Sequence, residues 1–342
     1  MNCSAKLRKA GMPGACVLLV AACCGTLGAA DPNDTYFADS WHHQQIGSQA
    51  AWEISPGSPD VIVATIDTGV DANHPDLAGP VIEGWNLVTR SADTSPTSWH
   101  GTAVAGVIAA VRDNGRGVAG LADVSIMPIV ASPDDTLSTV QASAGIRCAT
   151  DRGAKVINIS ASIIHLDELH EAARYAWDHG ALVVMANDNV DVFGDQPQWE
   201  EIVLVSSSDD SDRRYRSQFG VGLDLLAPGV DIYTTYAEPG QPGVEYYAVG
   251  WGASFAAPMV SAGAALAWSI NPDLTPAEVQ EILFTTAVDL ETPGWDFYTG
   301  HGRLDLAGVA QAAQDSIPEP GSAAAFLLVG AATLLRRRRA RR

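Results

Sequence analysis

Three residues far apart in the chain offer a carboxylate, an imidazole and a hydroxyl, each in a tight small-residue setting. They are Asp67 in TIDTGVD, His100 in HGTAVAG and Ser254 in GASFAAPMVSAG. A serine hydroxyl is a weak nucleophile until a neighbouring base takes its proton. An imidazole serves as that base when a carboxylate holds its other nitrogen in the right tautomer. Converged, the three groups perform acyl transfer through a covalent acyl-serine. Singly, each has an ordinary structural use, as a turn residue after a strand or as a cap at a helix start. Their chain order and their setting together favour the chemical reading.

The elements that must position them are visible as apolar runs. VIVATI (61–66), SIMPIV (125–130), VINIS (156–160), ALVVMA (181–186) and IVLVSS (202–207) are continuous apolar stretches, as expected of parallel strands covered on both faces. Helical patterns are predicted over 100–111, 137–150 and 167–179, the last two stopping near Gly153 and Gly180. Strand and helix in alternation mean βαβ units and an α/β sheet. A Gly/Ala-rich helix is expected from Ser254 to about Ile270. Another should start at Thr275-Pro276-Ala277-Glu278, with a Thr cap, Pro in the first position and an acid in the first turn. In such sheets, sites form beyond the carboxyl ends of the strands, which is where Asp67 falls. Ser254, at a helix N-terminus, has backbone N–H groups nearby that can stabilise an oxyanion.

Both ends read as targeting segments. Residues 1–30 carry Lys6, Arg8 and Lys9, an apolar run from Cys16 to Cys24, and Gly28-Ala29-Ala30, the pattern of a secretory signal for a signal peptidase. Residues 316–342 hold Pro318-Glu319-Pro320, a short apolar stretch and RRRRARR. This order resembles the bacterial PEP-CTERM sorting signal, which implies transient membrane anchoring and cleavage by an exosortase-like enzyme. Residues 31–315 then form one domain, expected to be an exported monomer. Between 31 and 320 lie all 40 acidic residues but only 11 of the 20 basic ones, a balance of −29 that disfavours nucleic acid and anionic lipid as partners. Cys148 is the single cysteine outside the signal, so no internal disulfide is expected.

Over about residues 31–313 the chain resembles the subtilisin-like serine proteases, and among them the thermitase-like branch. The resemblance rests on the three strings above, on their Asp-His-Ser order, on NHPDL (73–77), GVAG (117–120) and LDLLAPGVDIYTT (223–235), and on the closing GHGRLDLAGVAQAA. It implies a subtilisin-like three-layer α/β fold with a mostly parallel central sheet flanked by helices, and a serine endopeptidase acting on peptide or protein substrates. It implies that Asp67 orients, that His100 is general base and acid, and that Ser254 is the nucleophile. Ungapped alignment from Gly180 puts Asn189, not Asn187, on the family's oxyanion asparagine.

The substrate-binding positions implied are Ser160, Ala161, Ser162, Ala186 and Asp188. Ser162 and Asp188 stand where the family has glycines, and Asp188 in a pocket wall would favour Lys or Arg before the scissile bond. The alternative these departures raise is an inactive subtilisin-fold binding protein. The resemblance also implies a structural calcium ion, with side-chain oxygens from Asp34, Asp76 and Asn114 and carbonyls from Val111, Arg116 and Val118. Because the resemblance starts so close to the expected signal, no folding prosegment is expected between them.

Overall fold

The computed structural model describes residues 31–318, apart from 135, 164 and 165. The expected signal at 1–30 and the apolar and arginine-rich parts of the expected sorting segment lie outside the described residues. The strands are β1 (Ile62–Asp67), β2 (Trp85–Asn86), β3 (Ser125–Val130), β4 (Val156–Ile159), β5 (Leu182–Ala186), β6 (Phe193–Gly194), β7 (Ile202–Ser208), β8 (Phe219–Gly220), β9 (Leu225–Pro228), β10 (Ile232–Tyr236) and β11 (Tyr246–Gly250). The helices are α1 (His42–Gln45), α2 (Ser48–Ile54), α3 (His100–Ala109), α4 (Thr139–Asp151), α5 (Asp167–Asp178), α6 (Ala253–Ile270), α7 (Pro276–Thr285) and α8 (Leu306–Asp315).

Seven of the described strands form one parallel sheet in the order β2-β3-β1-β4-β5-β7-β9. Successive side chains of a strand point to opposite faces, and here each face meets a helical layer. Val63, Val156, Leu182, Val184, Val203 and Val205 join the core with α3, α6, α7 and α8. Their neighbours Ala64, Ile157, Val183, Met185 and Leu204 join the core with α4 and α5. The continuous apolar runs of the sequence thus reflect burial on both sides.

Helix ends follow local chemistry. Thr275 caps α7 in a reciprocal box with Glu278, with Pro276 in the first turn, as its sequence predicts. Ser138 and Gln141 make the same box at α4. Helix α6 is apolar and long enough to cross a membrane, but 83% of it is buried inside the protein. Its mostly small side chains let it lie close to the sheet and to α3.

The sheet order creates the position of the site. From β1 the chain crosses through α3 to β3 on one side, then returns through α4 to β4 on the other. The connections therefore diverge between β1 and β4, and the carboxyl ends of these two strands open a crevice. Asp67 ends β1, and Ser160 immediately follows β4.

Candidate active site

Asp67 shares the strand parity of Val63, so its side chain faces the layer that holds α3, whose first residue is His100. His100 Nδ1 lies 3.0 Å from Asp67 Oδ1 and 2.9 Å from Oδ2. The Thr68 backbone N–H donates to Asp67 Oδ1 at 2.8 Å, which fixes the carboxylate from its other side. Gly101 is required for the approach, since a Cβ there would lie 2.3 Å from the Gly69 carbonyl oxygen and 3.1 Å from Asp67 Oδ1. The imidazole is walled by aromatic rings, Trp99 at 5.7 Å and Phe255 at 6.3 Å between centroids.

Ser254 is the second residue of α6. Its Oγ donates to the Ser160 carbonyl at 2.9 Å, and the Ser160 Oγ donates back to the Ser254 carbonyl at 2.8 Å. Behind this pair, Asn158 Nδ2 donates to Ser160 Oγ and Ser261 Oγ donates to Asn158 Oδ1. This buried polar chain locks the start of α6 over the end of β4.

The two asparagines differ in their surroundings. Asn187 is buried and spends both ends of its amide on the backbone, accepting from Asp188 N at 2.9 Å and donating to the Gln218 carbonyl at 3.1 Å. Asn189 instead accepts from the Ala253 N–H at 2.8 Å, one of the orphan donors at the start of α6. Gly252, at φ +115°, lies so close that a Cβ would meet Asn189 Oδ1 at 2.8 Å. With Oδ1 committed, Nδ2 is the end of Asn189 left to donate into the cleft.

Asp67, His100, Ser160, Ala161, Ser162, Asn189 and Ser254 line one cleft of about 420 Å³. Ala186 and Asp188, expected beside them, are not part of that lining. Ala186 is buried at the end of β5, and the Asp188 peptide is pinned by Asn187 Oδ1 and by the Gln218 N–H donating to its carbonyl. The cleft acquires a carboxylate from elsewhere. The loop after β3 brings Ser132, Asp134, Thr136 and Leu137 to its wall, none of which the sequence reading had singled out. Hydrogen bonds from Thr136 hold the Asp134 carboxyl below its ordinary range.

Asp34, Asp76 and the 111–118 loop also meet. Asp34 and Asp76 are 5% and 0% exposed. The N–H groups of Asp113 and Asn114 donate to Asp34, and Val118 N and Asn114 Nδ2 donate to Asp76. Burial pushes the Asp34 carboxyl above its ordinary range against these N–H bonds, and the charge of Asp76 adds to the rise. Two buried carboxylates beside an amide are oxygen donors of the kind calcium takes. Asn114, however, turns Nδ2 to Asp76 and Oδ1 to Arg116 N, and among the described residues no group of three or more His, Cys, Asp or Glu is gathered to hold a metal ion.

A family model described as Subtilase family matches residues 58–302. The chain is 37% identical over 242 residues to thermitase of Thermoactinomyces vulgaris, covering 69% of this chain and 84% of that protein. It is 34% identical over 283 residues to a thermophilic serine proteinase of Bacillus sp. strain AK1, covering 80% and 68%. Among solved structures, fervidolysin of Fervidobacterium pennivorans superposes with a TM-score of 0.72 at 30% identity, over 82% of this chain and 46% of that one. A protease of Pseudoalteromonas arctica superposes with a TM-score of 0.74 at 27% identity, over 83% and 100%. The fold, the family match over most of the chain and these likenesses agree: the chain belongs to the subtilase family and is a serine-type endopeptidase.

Proposed function

We propose that Asp67, His100 and Ser254 act as a triad that hydrolyses peptide bonds of polypeptide substrates through an acyl-enzyme, with Asn189 completing the oxyanion hole. The observation that carries this reading is the clamp of His100 Nδ1 between both oxygens of Asp67, in the cleft that Ser254 lines. An imidazole that donates from Nδ1 keeps the Nε2 lone pair for use as a base. The Ser254 hydroxyl, turning about Cα–Cβ, delivers its proton to that lone pair as Oγ attacks the scissile carbonyl. Asp67 stabilises the imidazolium that results. The oxygen that gains charge is met by the Ser254 N–H and Asn189 Nδ2. Collapse expels the amine, which takes its proton from His100, and water repeats the sequence to free the acid.

Ser160, Ala161 and Ser162 form the edge along which the substrate chain lies, and Asp67 and Asp134 are the charged groups of the cleft lining. That charge favours basic over acidic side chains in the substrate. Incubation of the full chain with reduced, carbamidomethylated lysozyme is expected to yield short peptides with new N-termini, read by mass spectrometry. A substrate that is bound yet left whole would favour a subtilisin-fold binding protein instead.

The signal pattern of residues 1–30 supports export after signal-peptidase cleavage. The tripartite pattern of residues 316–342 supports a transient anchor removed by an exosortase-like enzyme. A calcium ion held by Asp34, Asp76 and Asn114, with the carbonyls of Val111, Arg116 and Val118, would neutralise the two buried carboxylates when bound. The chain's own residues already tie the N-terminal segment to this loop, through Thr35 N to the Arg116 carbonyl and Tyr36 N to the Gly117 carbonyl. Chelation by EGTA is expected to lower Tm by about 5–7 °C, the size that about 3–4 kcal/mol of ligand linkage gives a domain of this length. Asp76→Asn should abolish the difference between calcium and EGTA. A melting curve indifferent to EGTA in the wild type would remove calcium from the account.

A further inference from the structure

Beside Asn189, three segments of the chain raise an apolar surface for which the triad has no use. Phe193, Phe297 and Tyr298 are 55%, 46% and 56% exposed. Their rings form one connected group: Phe193 meets Phe297 at 5.7 Å and Phe219 at 5.8 Å, and Phe219 stacks on Tyr298 at 5.0 Å. Val190 and Val192, in the stretch between Asn189 and Phe193, are exposed as well. Contiguous exposed aromatics on a soluble domain mark a contact surface.

We propose that this surface is an exosite that grips an apolar stretch of unfolded polypeptide while another stretch of the same chain occupies the cleft. The inference rests on the endopeptidase reading given above. Three observations select this occupant. First, the surface lies near the cleft, because Asn189 lines the cleft and Phe193 is four residues beyond it, at most about 14 Å of extended chain. The Gln218 N–H to the Asp188 carbonyl and Asn187 Nδ2 to the Gln218 carbonyl fasten β8 to the same loop.

Second, the rings are presented in place. Phe219 N donates to the Val192 carbonyl at 3.2 Å, Gly220 N to the Phe297 carbonyl at 2.8 Å, and Trp295 Nε1 to the Leu223 carbonyl at 2.8 Å. Asp296 Oδ1 accepts from Tyr298 N at 2.7 Å. A contact with such a surface orders little beyond the ligand, which is how preorganisation turns apolar area into affinity.

Third, charge argues against a second copy of this chain. Arg214 lies 4.3 Å over the Phe219 ring and pairs with Asp191 at 2.8 Å, so the patch is locally balanced on a chain with 40 acidic and 20 basic residues. Two such acidic bodies repel on approach, whereas an unfolded polypeptide with apolar side chains does not.

The test is the double substitution Phe193→Ser with Tyr298→Ser in the full chain, both at side chains more than half exposed. On carbamidomethylated lysozyme, kcat/KM is expected to fall about tenfold, through KM. On N-acetyl-L-tyrosine ethyl ester, a single residue of about 4 Å that cannot bridge the cleft and the patch, it should stay within about twofold. Equal losses on both substrates would overturn the proposal, since the rings would then merely support the Asn189 loop. An unchanged rate on the long substrate would overturn it as well. A wild-type dimer that the double variant converts to monomer would overturn it in favour of a second copy. Binding of fluorescein-labelled carbamidomethylated lysozyme to Ser254→Ala, with and without the two serines, separates the exosite from the hydrolytic reading. There Kd is expected to weaken about tenfold whether or not the wild type cleaves, and an unchanged Kd overturns the exosite.

Discussion

Replacement of Ser254 by alanine is expected to lower kcat by about 10⁶-fold while leaving the fold and the affinity for substrate in place. The hydroxyl is the sole nucleophile in the proposed sequence. Its structural share is small. The Ser254 Oγ spends one hydrogen bond on the Ser160 carbonyl, while the reciprocal bond from Ser160 Oγ uses the Ser254 backbone and survives the substitution. A residual rate of about 10³–10⁴ over water should remain, because the oxyanion donors and the substrate-binding edge are untouched. Steady-state rates on a short anilide read the loss, and a melting curve shows whether the fold was spared. Activity kept within about tenfold would remove Ser254 from the mechanism.

Asn189→Leu is the second large effect. Charge develops on the substrate oxygen only as the bond is attacked, so the lost donor should appear in kcat, about 10²–10³-fold or about 2.7–4 kcal/mol, with KM little changed. The same substitution removes the acceptor that Asn189 gives the Ala253 N–H, so a cap-sized loss of about 1 kcal/mol in stability should accompany it. Asn189→Asp divides the two effects. It keeps an acceptor at the positive end of α6 but replaces the donor with a repelling carboxylate, so stability should hold while kcat falls. Parallel loss of stability and rate in both variants would make Asn189 a cap and nothing more.

The sequence was most informative where structure is local. The apolar runs placed β1, β3, β4, β5 and β7 to within a residue or two, because burial on both faces leaves little room for polar side chains. His100 and Ser254 fell at the first turns of α3 and α6, as their small-residue strings predicted. Strand order was not legible. The divergence between β1 and β4 comes from the path of two crossovers, which no single stretch of residues encodes.

The walls of the cleft were legible only in part. Asp134 stands in a loop with no periodic signal, and its arrival beside Ser160 depends on how β3 ends. Asp188 was expected in the wall because it stands where the family has a glycine that lines the pocket, and it is not among the residues that line the cleft. Its peptide is held between Asn187 and Gln218, and the Asn187–Gln218 pairing joins residues 31 apart. The aromatic surface was illegible for the same reason, since Phe193, Phe219 and Phe297 meet only once β6 and β8 pair.

The central claim is that Ser254 is a nucleophile activated by the folded site. Reaction of the folded, calcium-loaded protein with a fluorophosphonate, followed by peptide mass spectrometry, tests it most directly. The account predicts one adduct, on Ser254, that disappears when the protein is denatured before labelling and is greatly slowed in His100→Ala. Folded protein that takes up no label, or carries it on another serine, would contradict the account.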